Sequence, residues 1–396
     1  MATGKALNGK PYAGNPHVRF DEGEVAPAAT PRRGSLLYRK FNTTGPCFPD
    51  EHYMLPALDR LPGIRELVAG GNYFVVHAPR QTGKTTALKA LVREINEKGD
   101  MFAIYCTLET QQSASDPKVS NIAIRDLIAD NAEMSPYYSP IPGAPELRSD
   151  RGGVGLAIRT VLQNLCRAVK KPVAVFFDEA DCLVGDSLIS FLRQLRDGYV
   201  NRKEMPFPKS VALVGMLDVR DYKAQVRPDG ESLGQISPFN IIAEDMLIPN
   251  FTESEIRTLY AQHTEETGQV FVDGVVEDVW RLTRGQPWLV NAIAQECVEE
   301  IHASRYGEEI NVSDVEAAKE AIVQKNPVHL DYLFYMMRHP RVEPIFKSIL
   351  DGRLSGEERQ TKEFRFITRL GIFREEGSSF EFANPIYARY WEVTQK

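Results

Sequence analysis

Eight consecutive residues, Ala78-Pro79-Arg80-Gln81-Thr82-Gly83-Lys84-Thr85, carry the clearest chemistry in the chain. They match the phosphate-loop pattern GxxxxGK[ST] with one departure, Ala78 in place of the first glycine. In such a loop, backbone N–H groups and the positive end of the following helix cradle phosphate oxygens. Gly83 allows close backbone approach, Lys84 supplies a point charge, and the Thr85 hydroxyl suits Mg²⁺. The departure at Ala78 leaves this chemistry intact, because the donor needed there is a backbone N–H that alanine also has. Thr86 extends the segment. A second site follows: Val173-Ala174-Val175-Phe176-Phe177 ends in Asp178-Glu179. A carboxylate at the carboxyl end of a buried strand lies where open α/β sheets bind ligands. Asp178 is expected to hold Mg²⁺, and Glu179 to polarise an attacking water. Paired acids favour hydrolysis over binding alone.

The elements that must position these groups are readable on both sides. Tyr73–His77 predicts a strand before the loop. Leu88, Leu91, Val92 and Ile95 fall at helical spacing after it, ending near Gly99. Met101–Cys106, Val173–Phe177 and Val211–Leu217 read as further strands, separated by helices over Val154–Lys170 and Leu188–Tyr199. Continuous apolar strands alternating with helices indicate a parallel sheet covered on both faces. Residues 110–152, with YYSPIPGAP, read as an insertion of one helix and a long loop. After about Asp245 no further strand of this sheet is expected. Thr252 with Glu255 and Ser313 with Glu316 each make a capping-box pattern, and Pro287 after Gly285 opens another helix. Then come helices over Leu330–Leu350 and Lys362–Leu370 and a hairpin around Glu376-Gly377, a winged-helix pattern.

Four segments, APRQTGKTT (78–86), VFFDEAD (175–181), VALVGMLDVRDYK (211–223) and TRGQPWLVNAIAQ (283–295), resemble the AAA+ and STAND-type ATPases of the additional-strand P-loop group. The similarity is strongest to the bacterial AAA-like and archaeal-ATPase branches and covers roughly residues 41–396. It implies an α/β fold with a P-loop parallel sheet core of the additional-strand type, then a helical lid and a winged-helix module. The expected division is a flexible tail over 1–40, a nucleotide-binding core over 41–245, a lid over 246–325 and a winged-helix-like domain over 326–396. ATP and Mg²⁺ are the implied ligands. Residues 78–86 would bind nucleotide, Thr85 and Asp178 the metal, and Lys84, Asp178 and Glu179 would carry catalysis. A polar sensor is implied at the end of the fourth strand, where Asp218 and Arg220 are the candidates. Arg193, Arg196 and Arg202 lie where such families carry an arginine finger, and Gln286-Pro287 matches the lid motif facing the nucleotide. His52–Pro56 either flanks adenine or packs.

The chain has 396 residues, 47 Lys+Arg against 54 Asp+Glu, and a net charge of −7, which offers no general attraction to nucleic acid. Residues 330–396 hold 11 Lys/Arg and 10 Asp/Glu, and the expected wing tip carries Glu375 and Glu376. That balance favours a protein-facing module over a DNA-reading one. No apolar run approaches the roughly 20 residues a bilayer span requires. Five scattered cysteines without CxxC spacing fit a reducing cytoplasm. The expected function is therefore Mg²⁺-dependent ATP hydrolysis driving movement between core and lid, directed at a protein partner or at self-assembly. The alternative is a nucleotide-gated DNA-binding protein of the initiator or transposition-regulator type. A small-molecule kinase is disfavoured by the acid pair and the helical lid.

Overall fold

The computed structural model describes residues 39–112, 114, 116–218, 240–325, 327–377 and 379–395. Five parallel strands form the central sheet: β1 (Tyr73–His77), β2 (Phe102–Thr107), β3 (Val173–Asp178), β4 (Ser210–Gly215) and β5 (Ile242–Leu247), in the order β2-β3-β4-β1-β5. Strand β4 thus lies between β1, which feeds the phosphate loop, and β3, which carries the acid pair. This is the additional-strand arrangement. Alternation along β1 divides its side chains between two cores. Tyr73 and Val75 face α3 (Pro117–Glu133), α4 (Ala157–Ala168) and α5 (Gly185–Val200). Phe74 and Val76 face α1 (Ile64–Ala69) and α2 (Lys84–Lys98). Helix α2 follows β1 directly and ends at Gly99, which adopts the left-handed conformation at φ 78°.

Strand β5 is not among the strands expected from the sequence, and it runs just past Asp245, after which none was expected. It pairs in parallel with β1 at the sheet edge, with a register irregularity at Tyr73/Phe74. Its sequence, IAEDML, is largely exposed and carries two acids, so it lacks the apolar run that marks the other four.

Beyond the sheet lie α6 (Glu253–Thr267), α7 (Val275–Thr283), α8 (Pro287–Gln295) and α9 (Val312–Lys325). Thr252 and Glu255 form the predicted reciprocal capping box on α6. On α9 the cap shifts by two residues. Asn311 Oδ1 accepts from the Ser313 N–H at 2.9 Å, and Asp314 Oδ2 accepts from the Asn311 N–H at 2.8 Å. The single helix expected over 330–350 is instead two, α10 (Val328–Met337) and α11 (Glu343–Leu350). Pro340 lies in the break, where its ring and missing N–H oppose a continuous helix. Helix α12 (Lys362–Arg369), the hairpin β6 (Phe373–Glu376) with β7 (Ser379–Phe382), and α13 (Pro385–Thr394) complete the chain. Buried residues from α6 through α13 share one core, which also takes in Phe41, Tyr53 and Leu55. Among the described residues no helix is long and apolar enough to cross a membrane.

Candidate active site

The phosphate loop is held open by bonds from its own side chains and from its neighbours. The Ala78 N–H donates to the Gly215 carbonyl at 3.2 Å, tying the loop to the end of β4. Gln81 (φ 59°) and Gly83 (φ 91°) adopt left-handed conformations that turn the chain into α2. For Gln81 this costs free energy, and such strain gathers at ligand sites. Thr82 Oγ1 donates to the Pro79 carbonyl at 2.9 Å. From below, Arg60 Nη1 donates to the Thr82 carbonyl at 2.9 Å while Nη2 donates to the Pro249 carbonyl. The buried Lys84 ammonium donates to the carbonyls of Ala78 (2.9 Å) and Pro79 (2.8 Å). Burial pulls its pKa down, while Glu179, Asp181 and Asp178 oppose that shift.

The acid pair faces this loop. Asp178, at the end of β3, is 1% exposed. Its Oδ2 accepts from Thr85 Oγ1 at 2.6 Å and from Tyr105 Oη at 3.0 Å. Its Oδ1 accepts from the Glu179 N–H at 3.0 Å. Glu179 is left-handed at φ 52° and begins a tight turn over Ala180–Cys182. Burial, and then the Asp181 charge, raise its pKa, with Lys84 acting against them. A hydroxyl and a carboxylate brought together from β3 and α2 are the hard oxygen donors that Mg²⁺ takes, so these residues fit that ion.

A cavity of about 770 Å³ opens over Lys84, Thr85, Thr86 and Glu179. Trp288 of α8 and Tyr332 of α10 line its other wall. The Arg80 guanidinium lies 4.7 Å from the Tyr332 ring centroid. A Cβ on Gly371, which has φ 69°, would meet Pro79 Cγ at 2.6 Å, so the carboxyl-terminal part touches the phosphate loop itself. A smaller adjoining cavity of about 110 Å³ is lined by Tyr53, Met54, Gly83, Pro287 and Trp288. The Met54 backbone is engaged at both N–H and C=O by Gln262, and Tyr53 Oη lies 3.3 Å from His263 Nδ1.

Of the other predicted residues, Pro287 reaches the smaller cavity and the rest lie apart from both. Gln286 caps α8, its Oε1 accepting from the Leu289 N–H at 2.7 Å, and Pro287 is the first residue of that helix. Asp218 lines a different cavity of about 790 Å³, with His77, Pro79, Arg365 and Arg369. Arg220 lies outside the described residues. Arg193 is exposed on α5, and Arg196 Nε donates to Asn240 Oδ1 at 2.9 Å. Arg202 sits at the opposite end of the sheet, donating to the Gly71 carbonyl at 3.0 Å and stacked 4.0 Å over Tyr199.

Among the residues of the site that the local sequence does not mark are His329 and Asp181. His329 of α10 lies 5.2 Å from the Trp288 ring and lines the large cavity. Asp181 accepts from the Met216 N–H at 3.2 Å. It stands within VFFDEAD, two residues past Glu179. Gly215, a glycine at the end of a buried strand, was the available signal for it.

In fold, the chain is similar to the Walker-type ATPase PABY2304 of Pyrococcus abyssi, with a TM-score of 0.58 at 16% identity, over 89% of this chain and 99% of that one. The chain shares the P-loop ATPase fold of that protein. The RuvB Holliday junction branch migration motor of Thermotoga maritima aligns over 88% of this chain and 97% of its own, with a TM-score of 0.45 and 10% identity. Cdc6p of Pyrobaculum aerophilum aligns over 86% and 91%, with a TM-score of 0.46 and 14% identity. No family model matches the sequence, and no curated protein does. Within the P-loop ATPase fold, the Lys84 loop and the Asp178-Glu179 strand end occupy the carboxyl edge of the sheet, where open α/β sheets take ligands.

Proposed function

We propose that this protein binds ATP with Mg²⁺ and hydrolyses it, and that the cycle moves the lid and carboxyl-terminal elements against the core. The observation that carries the reading is the Thr85 Oγ1–Asp178 Oδ2 bond of 2.6 Å, made beside a cavity lined by Thr85, Lys84 and Glu179. Loop N–H groups and the Lys84 ammonium hold the phosphates, the lysine as a point charge. Thr85 and Asp178 hold the metal. Mg²⁺, when bound, neutralises charge that builds on the phosphate oxygens. Glu179 accepts a hydrogen bond from water and draws its proton during attack. A carboxylate whose burial raises its proton affinity is a better base for that task than an exposed one.

Contacts from three directions support coupling to motion. Trp288 Nε1 donates to the Thr43 carbonyl at 2.9 Å, and the Cys47 N–H donates to Thr86 Oγ1 at 3.1 Å. Tyr332 covers Arg80, and Gly371 abuts Pro79. A change at the phosphate loop therefore bears on α8, α10 and the segment entering β6. The work is directed at a protein partner or at assembly of the chain with itself, in a cytoplasmic setting.

Phosphate release from ATP, with and without Mg²⁺, tests the reading in wild type and Lys84→Ala. Loss of the cation facing the phosphates is expected to lower turnover by about 10² or more. Wild-type turnover in that variant would overturn the assignment.

A further inference from the structure

Strand β2 lies at one edge of the sheet, with β3 as its partner on one side. The Phe102 N–H donates to the Pro172 carbonyl and the Leu108 N–H to the Asp178 carbonyl. The parallel ladder between them alternates, so Ala103 and Tyr105 turn their N–H and C=O groups away from β3. At Ala103 the buried Asn96 side chain of α2 closes the edge. It accepts from the Ala103 N–H at 2.9 Å and donates to the Ala103 carbonyl at 2.8 Å. At Tyr105, the next outward residue, no described group plays this part. A groove of about 370 Å³ opens there, between Lys89, Val92 and Arg93 of α2 and Pro136 and Tyr137 beyond the end of α3.

Open edges invite pairing, and proteins usually guard them with charge or proline. Strand β5, at the other edge, carries the exposed acids Glu244 and Asp245. Strand β2, FAIYCT, carries neither charge nor proline. The charged residues lining its groove are of one sign, Lys89 and Arg93. Both are exposed, and neither forms an ion pair among the described residues. Glu94, Asp130 and Glu133 on the same two helices are each held by another arginine, Arg65 or Arg148. The Lys89 ammonium lies 5.4 Å from the Tyr105 ring centroid, which sets that charge over the open part of the strand.

We propose that this edge docks an extended acidic segment of a protein partner, added as a further strand beside β2. The segment's main chain meets the outward N–H and C=O of Tyr105. Its side chains alternate between the two faces, and those on the α2 side set carboxylates against Lys89 and Arg93. Main-chain pairing supplies affinity, and the two cations choose the partner. A nucleic acid offers no main-chain strand for that edge, so a peptide fits it better. The inference stands independently of ATP hydrolysis.

The test uses the full chain without nucleotide and a fluorescein-labelled peptide of alternating glutamate and valine, read by anisotropy at low ionic strength. Saturable binding is expected. Lys89→Glu combined with Arg93→Glu should weaken it by about tenfold or more, and a lysine–valine peptide should prefer that variant to wild type. Both side chains are exposed, so the variant should keep the wild-type thermal midpoint. Two further peptides read the main chain: one methylated on the backbone nitrogens of its glutamates, the other on those of its valines. Only the set turned toward Tyr105 matters, so one peptide should lose about tenfold or more and the other stay near the parent. Absence of saturable binding, equal affinity for the charge-reversed variant, or equal effects of the two methylations overturns the proposal. So does displacement of the peptide by an equimolar single-stranded oligonucleotide, which would assign the groove to nucleic acid. Self-association of the chain that disappears on the same charge reversal would assign the edge to a second copy and overturn it as well.

Discussion

Thr85 Oγ1 donates to Asp178 Oδ2 across 2.6 Å, joining the first turn of α2 to the last residue of β3. Asp178 is not held by this bond alone: Tyr105 Oη also donates to that oxygen, and the Glu179 N–H donates to the other. The carboxylate is therefore fixed in orientation, and one hydroxyl can turn from it toward a cation. Asp178→Asn and Thr85→Val should each raise the Mg²⁺ concentration for half-maximal turnover by about 10–100-fold. Tyr105→Phe, which removes only a supporting donor, should shift it less. A Mg²⁺ titration of phosphate release checks the order of the three, and an effect of Tyr105→Phe exceeding that of Asp178→Asn would contradict it.

Glu179→Gln separates binding from chemistry. The change is nearly isosteric and leaves Asp178, Thr85 and Lys84 in place. Nucleotide affinity should stay within a few-fold while turnover falls by about 10²–10⁴. Glu179 sits at φ 52°, a conformation set by the turn, and glutamine meets the same strain there. Equilibrium binding of a labelled nucleotide beside single-turnover hydrolysis measures both terms. A parallel fall in the two would make Glu179 a metal ligand or a structural residue.

Much of this site was legible because its signals are local. The loop APRQTGKTT and the strand VFFDE carry their chemistry in consecutive residues, and each of β1 to β4 is a short apolar run buried on both faces. Strand β5 was not legible, since Ala243, Glu244 and Asp245 are exposed and leave it without an apolar run. The α9 cap was ambiguous in principle: Asn311/Asp314 and Ser313/Glu316 both have capping-box spacing, and the structure uses the first. Asp181 and His329 were invisible for another reason. Their significance lies in Gly215 and Trp288, which only the tertiary fold brings to them.

His329 gives the chain a pH response. Burial, and then the Arg80 charge, lower its pKa from an ordinary 6.5 to about 4. Between those values the unfolded chain binds a proton that the folded chain refuses. Stability is therefore intact above about pH 6.5 and declines as pH falls toward 4, by up to about 3 kcal/mol for the whole shift. His329→Phe keeps an aromatic ring beside Trp288 and removes the titration. Other groups titrate in the same range, so the difference between the two proteins is the quantity to measure. Urea midpoints from pH 7.5 to 4.5 should fall more steeply for wild type, and parallel curves would show that His329 is not the cause.

Binding of duplex DNA should be weak and only shallowly dependent on salt. Several cations of the carboxyl-terminal elements are already countered by acids. Arg374 pairs with Glu376 at 3.0 Å and with Glu381 at 3.1 Å. Arg359 lies 3.5 Å from Glu375, and Arg389 lies 3.0 Å from Glu320. Arg365 Nη2 donates to the Gln360 carbonyl at 3.0 Å. The β6–β7 hairpin thus presents an acidic tip where a phosphate-tracking wing would carry lysine or arginine. Each phosphate neutralised adds about −0.9 to the slope of log affinity against log salt. A slope shallower than about −3 is expected for the full chain. A steep slope that disappears on charge reversal of Arg365, Arg369 and Arg374 would instead make this module a DNA reader, because only cations seated on phosphates release counterions in that number.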